Sequence, residues 1–264
     1  MGKLSYKEMQ QVLMDELRLM HYPIAVKFFF KDEELAEFRN NVDHFEPTKP
    51  MTFCQWEIAP RMKGQTILAT KELLGCSNAA FVFGLTPLTE SEIKGHLKYT
   101  KNIEQAERFV KTKSRLPEGS LKAVAVSPLG DSYFPPDTVH FYCDNMQAYH
   151  LAVDYMAAMD IHPLRTNITM NSSACSGNVF SYLEKTANML PACSGSYNAG
   201  KTERGEINFI IPGEHIEPTV QRLLDRKAQY GSSSVTRPGD HFPGADVCKN
   251  CPLIVFKKGK KGGE

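Results

Sequence analysis

Cysteine is the residue type here whose spacing points to chemistry, and Cys54, Cys76, Cys143, Cys175, Cys193, Cys248 and Cys251 are spread along the chain. Two of them stand in identical tetrapeptides, Ala174-Cys175-Ser176-Gly177 and Ala192-Cys193-Ser194-Gly195. A third has a related setting, Leu74-Gly75-Cys76-Ser77-Asn78. Small residues after a cysteine let backbone N–H groups turn toward its sulfur. Such nests, like helix N-termini, stabilise a thiolate or the negative charge of a metal–sulfur centre. Cys54 falls near the start of a helix expected after Pro50. Four thiolates gathered from separate segments, Cys54, Cys76, Cys175 and Cys193, are the ligand set of either a structural zinc or an iron–sulfur cluster. Arg61, Lys71, Lys201 and Arg204 are the basic residues expected to offset the charge of such a cofactor. Against this stands the packing role of free cysteine, which is among the most buried residue types. Cys143, beside an expected strand, is read as core.

Cys248-Lys249-Asn250-Cys251-Pro252 is a separate signal. A CxxC followed by proline occurs at iron–sulfur ligands, in zinc knuckles and in thiol–disulfide chemistry. It is half of a tetrahedral site, so Cys248 and Cys251 are expected to act as metal ligands with other cysteines or with a second chain.

One motif argues for different chemistry. Gly195-Ser196-Tyr197-Asn198-Ala199-Gly200-Lys201-Thr202 matches the phosphate-loop pattern at every position. In a working phosphate loop the turn follows a buried strand and opens a helix. Here residues 203–211 contain Gly205 and then alternate like a strand, so a β-hairpin is expected, with Lys201 serving a cluster or an anionic ligand. Nucleotide binding is the weaker reading. No GxSxG, HExxH or GxGxxG pattern is present. His140 and His150, Trp56, Phe81, Phe83 and the Met-rich helix 146–159 read as structural.

The elements that must position these residues follow from periodicity and caps. Ser5 and Glu8 form a capping box, followed by a helix with Met9, Val12, Leu13, Leu17 and Met20 on one stripe. Residues 24–30 read as a strand with Ile24, Val26, Phe28 and Phe30 on one face. Helices are expected over 31–40, 51–59, 93–113, 145–160, 179–185 and 217–228, and strands over 66–70, 122–127, 138–142 and 207–211. Strands and helices alternate without a sustained βαβ rhythm, so the fold class is α+β: a mixed sheet with helices packed on it. Residues 1–230 make the main domain, as one body or two lobes. Residues 231–264 form a Ser/Gly/Pro-marked linker and a short C-terminal extension carrying the CxxC.

The chain has 264 residues, a net charge of +1 and 42% apolar residues, so neither a nucleic-acid-binding field nor a membrane span is expected. The N-terminus lacks an apolar signal core. The expected location is the cytoplasm, where thiols stay reduced and seven cysteines are better used as ligands than as disulfides. A redox partner protein and a second copy of the chain are the partners left open.

Pro23-Ile24-Ala25-Val26-Lys27-Phe28, Phe53-Cys54-Gln55, Ala69-Thr70-Lys71-Glu72 with Cys76, Ser173-Ala174-Cys175, Pro191-Ala192-Cys193-Ser194-Gly195 and 207–213 together resemble the prokaryotic domain-of-unknown-function family 169. The resemblance covers most of residues 20–225. It implies that Cys54, Cys76, Cys175 and Cys193 fall at family motif positions, and it assigns no substrate. The expected function is therefore an iron–sulfur protein of the 4Fe–4S kind with a redox or electron-transfer role. The alternative is a non-catalytic protein with a structural zinc.

Overall fold

The computed structural model describes residues 3–230. The expected linker and tail, with Cys248 and Cys251, lie outside the described residues.

Ser5 and Glu8 close the expected capping box on α1 (Tyr6–Leu17), whose buried stripe is Met9, Leu13 and Leu17. Such a cap is worth about 1 kcal/mol. Strands β1 (Ile24–Phe29), β2 (Ile67–Thr70), β3 (Ala123–Pro128), β4 (Thr138–Cys143), β5 (Asn188–Pro191) and β6 (Ile207–Pro212) form one six-stranded sheet. Its order is β2-β3-β1-β4-β6-β5. The class is α+β as expected, but the sheet is not mixed. All ladders between these strands are antiparallel. Parallel pairing needs a crossover that returns the chain to the same end of the sheet. Here parallel contact is confined to two isolated bridges, Phe45 with Ile67 and Met51 with Leu74.

Strand alternation splits the core between the two faces of the sheet. Ile24, Val26, Phe28, Val124, Val126 and Tyr142 face one way and bury Phe53, Trp56, Phe81, Phe83 and Val179. Ala25, Val139, Phe141, Cys143, Phe209 and Ile211 face the other and pack on α1, α7 (Asn145–Met159) and α10 (Ile216–Tyr230). Near the β2 edge, α2 (Asp32–Asn41) covers Phe29, Leu68 and Ala125 with Leu35 and Phe38. Phe28 touches Phe83 and Tyr182 edge-on, so Phe28→Ala would open a cavity costing roughly 3–5 kcal/mol.

Three expected helices are redrawn. The stretch 51–59 keeps only a short helix, Phe53–Trp56, followed by a π-helical turn, Ala59–Lys63. The stretch 93–113 breaks into α5 (Glu90–Lys94), a 3-10 turn (Leu97–Tyr99) and α6 (Ile103–Lys111). Thr100 is extended and Asn102 caps α6, accepting from the Gln105 N–H. The helix expected at 179–185 starts six residues earlier, as α8 (Ser173–Glu184). Its Ser/Gly-rich first turns are buried, with Gly177 at the contact. A Cβ at that position would lie 2.5 Å from Ile210 Cδ1 and 3.2 Å from Leu190 Cδ2, so any larger residue must push buried side chains aside for α8 to rest this close to β6.

Candidate functional site

Four short structural decisions bring four cysteines to one place. Thr52 caps α3 (Phe53–Trp56) in a capping box with Gln55, which puts Cys54 in the first turn. Cys76 is the N-cap of α4 (Ser77–Val82), and Cys193 is the N-cap of α9 (Ser194–Asn198). Cys175 is the third residue of α8. All four line one cavity of about 190 Å³, together with Asn78, Lys98, Tyr99, Asn171, Ser172, Ser173, Ser194 and Lys201. No Asp or Glu is in that lining. A larger open groove, about 660 Å³, lies beside His44 and Tyr133 and contains neither cysteine nor lysine. Cys143 is core as expected, on the opposite face of the sheet, where burial pushes its thiol up.

The cysteines differ in environment. Burial pushes the Cys175 thiol well up, reinforced by the nearby Cys76, Cys193 and Cys54, and its S–H donates to the Ser172 carbonyl at 3.4 Å. Burial also raises Cys54, although the Thr52 hydroxyl 3.2 Å away and Lys201 favour its thiolate. At Cys193 burial is outweighed. Hydrogen bonds from the backbones of Ser173, Ser196 and Ser172 and from the Ser173 side chain hold its thiol below the ordinary range. The expected nest is met only in part at Cys193: Ser196 follows it, but the other donors, Ser172 and Ser173, come from the start of α8. At Cys175 the same tetrapeptide is helical, and its Ser176 and Gly177 serve packing instead.

Beneath the cavity lies a cation that sequence reasoning missed. Lys113 is 5% exposed. Its ammonium donates to His96 Nε2 (2.9 Å), Ser172 Oγ (3.4 Å) and Asn78 Oδ1 (3.5 Å), all neutral. His96 Nδ1–H donates to the Glu92 carbonyl at 2.7 Å, so Nε2 keeps its lone pair for Lys113 and for Asn171 Nδ2. Among the described residues no carboxylate forms an ion pair with Lys113. Burial lowers its pKa, opposed by the charges of Cys175, Glu92, Cys76 and Cys193. Ser172 holds a left-handed φ of 65°, a conformation costing a non-glycine residue of order 1 kcal/mol. A lysine in the polar stretch 93–113 carried no local signal, since only the fold turns it inward.

A second buried cluster frames the site from the sheet side. Glu57 accepts from Tyr142 Oη at 2.7 Å and shares a proton with His140 Nδ1 at 2.6 Å. His140 Nε2–H donates to Asn208 Oδ1 at 2.9 Å. Asn178 Oδ1 accepts from Thr138, and Asn178 Nδ2 donates to the Ala174 carbonyl, tying α8 to β4. Burial and then Glu57 push the Tyr142 phenol well up, so it stays a donor.

The predicted basic residues separate. Lys201 lines the cavity. Arg61 is buried outside it, ion-paired to Glu206 (2.5 Å), stacked 4.0 Å from the Tyr142 ring centre, and donating to the Lys201 carbonyl at 3.1 Å. Lys71 and Arg204 are exposed and do not line the cavity. The phosphate-loop match is a hairpin connection: β5 pairs antiparallel with β6, and β6 rather than a helix follows Lys201. The Thr202 hydroxyl is 2.6 Å from Ser196 Oγ. Among the described residues no three His, Cys, Asp or Glu side chains are grouped so as to hold one metal ion. No helix of the described residues is long and apolar enough to cross a membrane.

The fold and cavity define an α+β protein that gathers four cysteines and a buried lysine from separate segments. The chain belongs to the domain-of-unknown-function family 169 (uncharacterised ArCR), whose model matches residues 12–222. No curated protein and no solved structure matches it.

Proposed function

We propose that the cavity holds an iron–sulfur cluster on Cys54, Cys76, Cys175 and Cys193, and that the protein serves a redox or electron-transfer role in the cytoplasm with a redox partner protein. The observation that carries this reading is Lys113, an ammonium buried beside cysteines that feels the Glu92 carboxylate but hydrogen-bonds only uncharged groups. A buried cation needs a counter-charge, and sulfur is the charge-bearing donor lining the cavity. A cluster spreads four thiolates over several irons, whereas zinc takes four sulfurs about one point, and metal analysis separates the two.

The chain's own residues would hold and tune the group. The hydrogen bonds that reach Cys193 stabilise its thiolate, Lys113 and Lys201 offset negative charge, and the Glu57–His140 frame fixes α3 and α8. A bound cluster would supply one-electron transfer. Anaerobic purification followed by a visible spectrum with iron, acid-labile sulfide and zinc analysis tests this. A brown protein with matched iron and sulfide is expected, with absorption lost in Cys175→Ala and in Cys193→Ala. Full iron in both variants, or stoichiometric zinc without colour, would overturn the reading.

A further inference from the structure

The cavity has an inner and an outer half with different chemistry. The inner half is thiol-rich and sits on Lys113. The outer half is bounded by the Leu97–Tyr99 turn and the start of α9, where Tyr99 Oη lies 3.0 Å from Ser194 Oγ. These residues are 95 positions apart, so the contact bridges the mouth. One hydroxyl hydrogen makes that bond and the other is left over. Lys98 stands at the same rim, its ammonium 4.9 Å from the Tyr99 ring centre, and Lys201 stands in the lining. Neither has an ion-pair partner among the described residues.

Charge bookkeeping separates the two halves. Lys113 feels Cys175, Glu92, Cys76 and Cys193, so one cation lies with the inner thiols, while a second, Lys201, lies in the lining. Lys98 is a third, set at the mouth over an aromatic ring. With no acid in the lining, the positive charge at the rim is uncompensated by protein.

We propose that the outer half of the cavity binds a small oxyanion, a carboxylate or a phosphate, between Lys98 and Lys201 with a hydrogen bond from the Tyr99–Ser194 hydroxyl pair. This deepens the cluster reading, on which it rests for the inner half only, and it gives the redox role a substrate class. The bridged mouth, in a cavity whose whole volume is only about 190 Å³ and whose inner half belongs to the thiols, limits the ligand to a small one.

Calorimetric titration of the full chain with oxalate and, separately, with inorganic phosphate tests it. Each titration is run at constant ionic strength on protein purified anaerobically and on protein stripped of metal, with iron counted in both. Saturable binding of at least one anion is expected, weakened about tenfold by Lys98→Gln and a few-fold by Tyr99→Phe, with iron content as in wild type. Preference for oxalate assigns the site to carboxylates, and preference for phosphate assigns it to phosphates. No saturable binding of either anion up to about 10 mM in both forms, an affinity well below that of ordinary metabolite sites, would overturn the proposal. So would an affinity that Lys98→Gln leaves unchanged. Iron-free wild-type protein would sink the cluster reading alone, because calorimetry on the stripped form still decides the oxyanion site.

Discussion

The two buried polar clusters flanking the cavity are built on the same residue type and end in opposite states. Around His140 every charge is answered: Glu57 faces the imidazole, Tyr142 completes the carboxylate, and Asn208 takes the remaining ring hydrogen. Wherever the shared proton sits, the Glu57–His140 pair is neutral overall. Around His96 the imidazole is spent as an acceptor, and its partner Lys113, its pKa lowered by burial, hydrogen-bonds only uncharged groups, with Glu92 near but not ion-paired. A closed network holds a scaffold in one geometry. A buried cation without an ion pair leaves room for a bound counter-charge, and Lys113 lies near Cys175, Cys76 and Cys193. On the proposed reading the first cluster is frame and the second belongs to the site.

The largest effect is expected at the frame. Glu57→Ala leaves His140 Nδ1 and Tyr142 Oη in a dry space without their acceptor, and should cost roughly 3–5 kcal/mol in urea unfolding. A loss under about 1 kcal/mol would mean the network is not what holds α3 to the sheet. Lys113→Met should behave in the opposite sense. In metal-free protein it removes an uncompensated buried charge, so stability is expected unchanged or raised by roughly 1–2 kcal/mol, while the iron retained on purification falls. Destabilisation matching that of Glu57→Ala would make Lys113 a structural tie and erase the contrast.

A smaller effect should appear within the site. In metal-free protein near pH 7, Cys193 should alkylate roughly tenfold faster than Cys175, as read by peptide mass spectrometry, because only the first has its thiolate hydrogen-bonded and is part-exposed. Equal rates would mean that the nest at Cys193 carries no weight. The smallest effect concerns the outer edge of the frame. Burial tends to raise the Glu206 carboxyl, but His21, the Glu203 N–H and Arg61 outweigh it and hold the group below its ordinary 4.5. A depressed carboxyl contributes stability that is complete above its unfolded value and is lost as pH falls through the folded one. Glu206→Gln should therefore lower stability modestly at neutral pH and flatten the acid limb, so that variant and wild type converge as pH falls below about 4. An acid limb identical to wild type would remove Arg61 and Glu206 from the pH response.

Much of the scaffold was legible because its signals are local. The Ser5–Glu8 box, the alternation of 24–30 and the hairpin after the false phosphate loop each depend on residues within a few positions of one another. Repetition misled where local sequence is not decisive. Ala-Cys-Ser-Gly is the first turn of a helix at Cys175 and a helix cap at Cys193, because only the former is pressed against β6, where Gly177 must lie under Ile210. Composition hid the start of α8 for the same reason: Ser and Gly are poor helix formers until packing overrides their propensity.

Residue type and order alone determined that the class is α+β, that the cysteines belong to separate segments, and that they are the candidates for chemistry. Only the tertiary structure decided which cations accompany them. Arg61, chosen for its charge, is spent on Glu206 and the Lys201 carbonyl, while Lys113, chosen by nothing in its neighbourhood, is buried beneath the thiols. Charge is a property of a residue, but whether that charge is free, paired or buried depends on groups brought together from elsewhere in the chain, and short-range sequence carries no record of them.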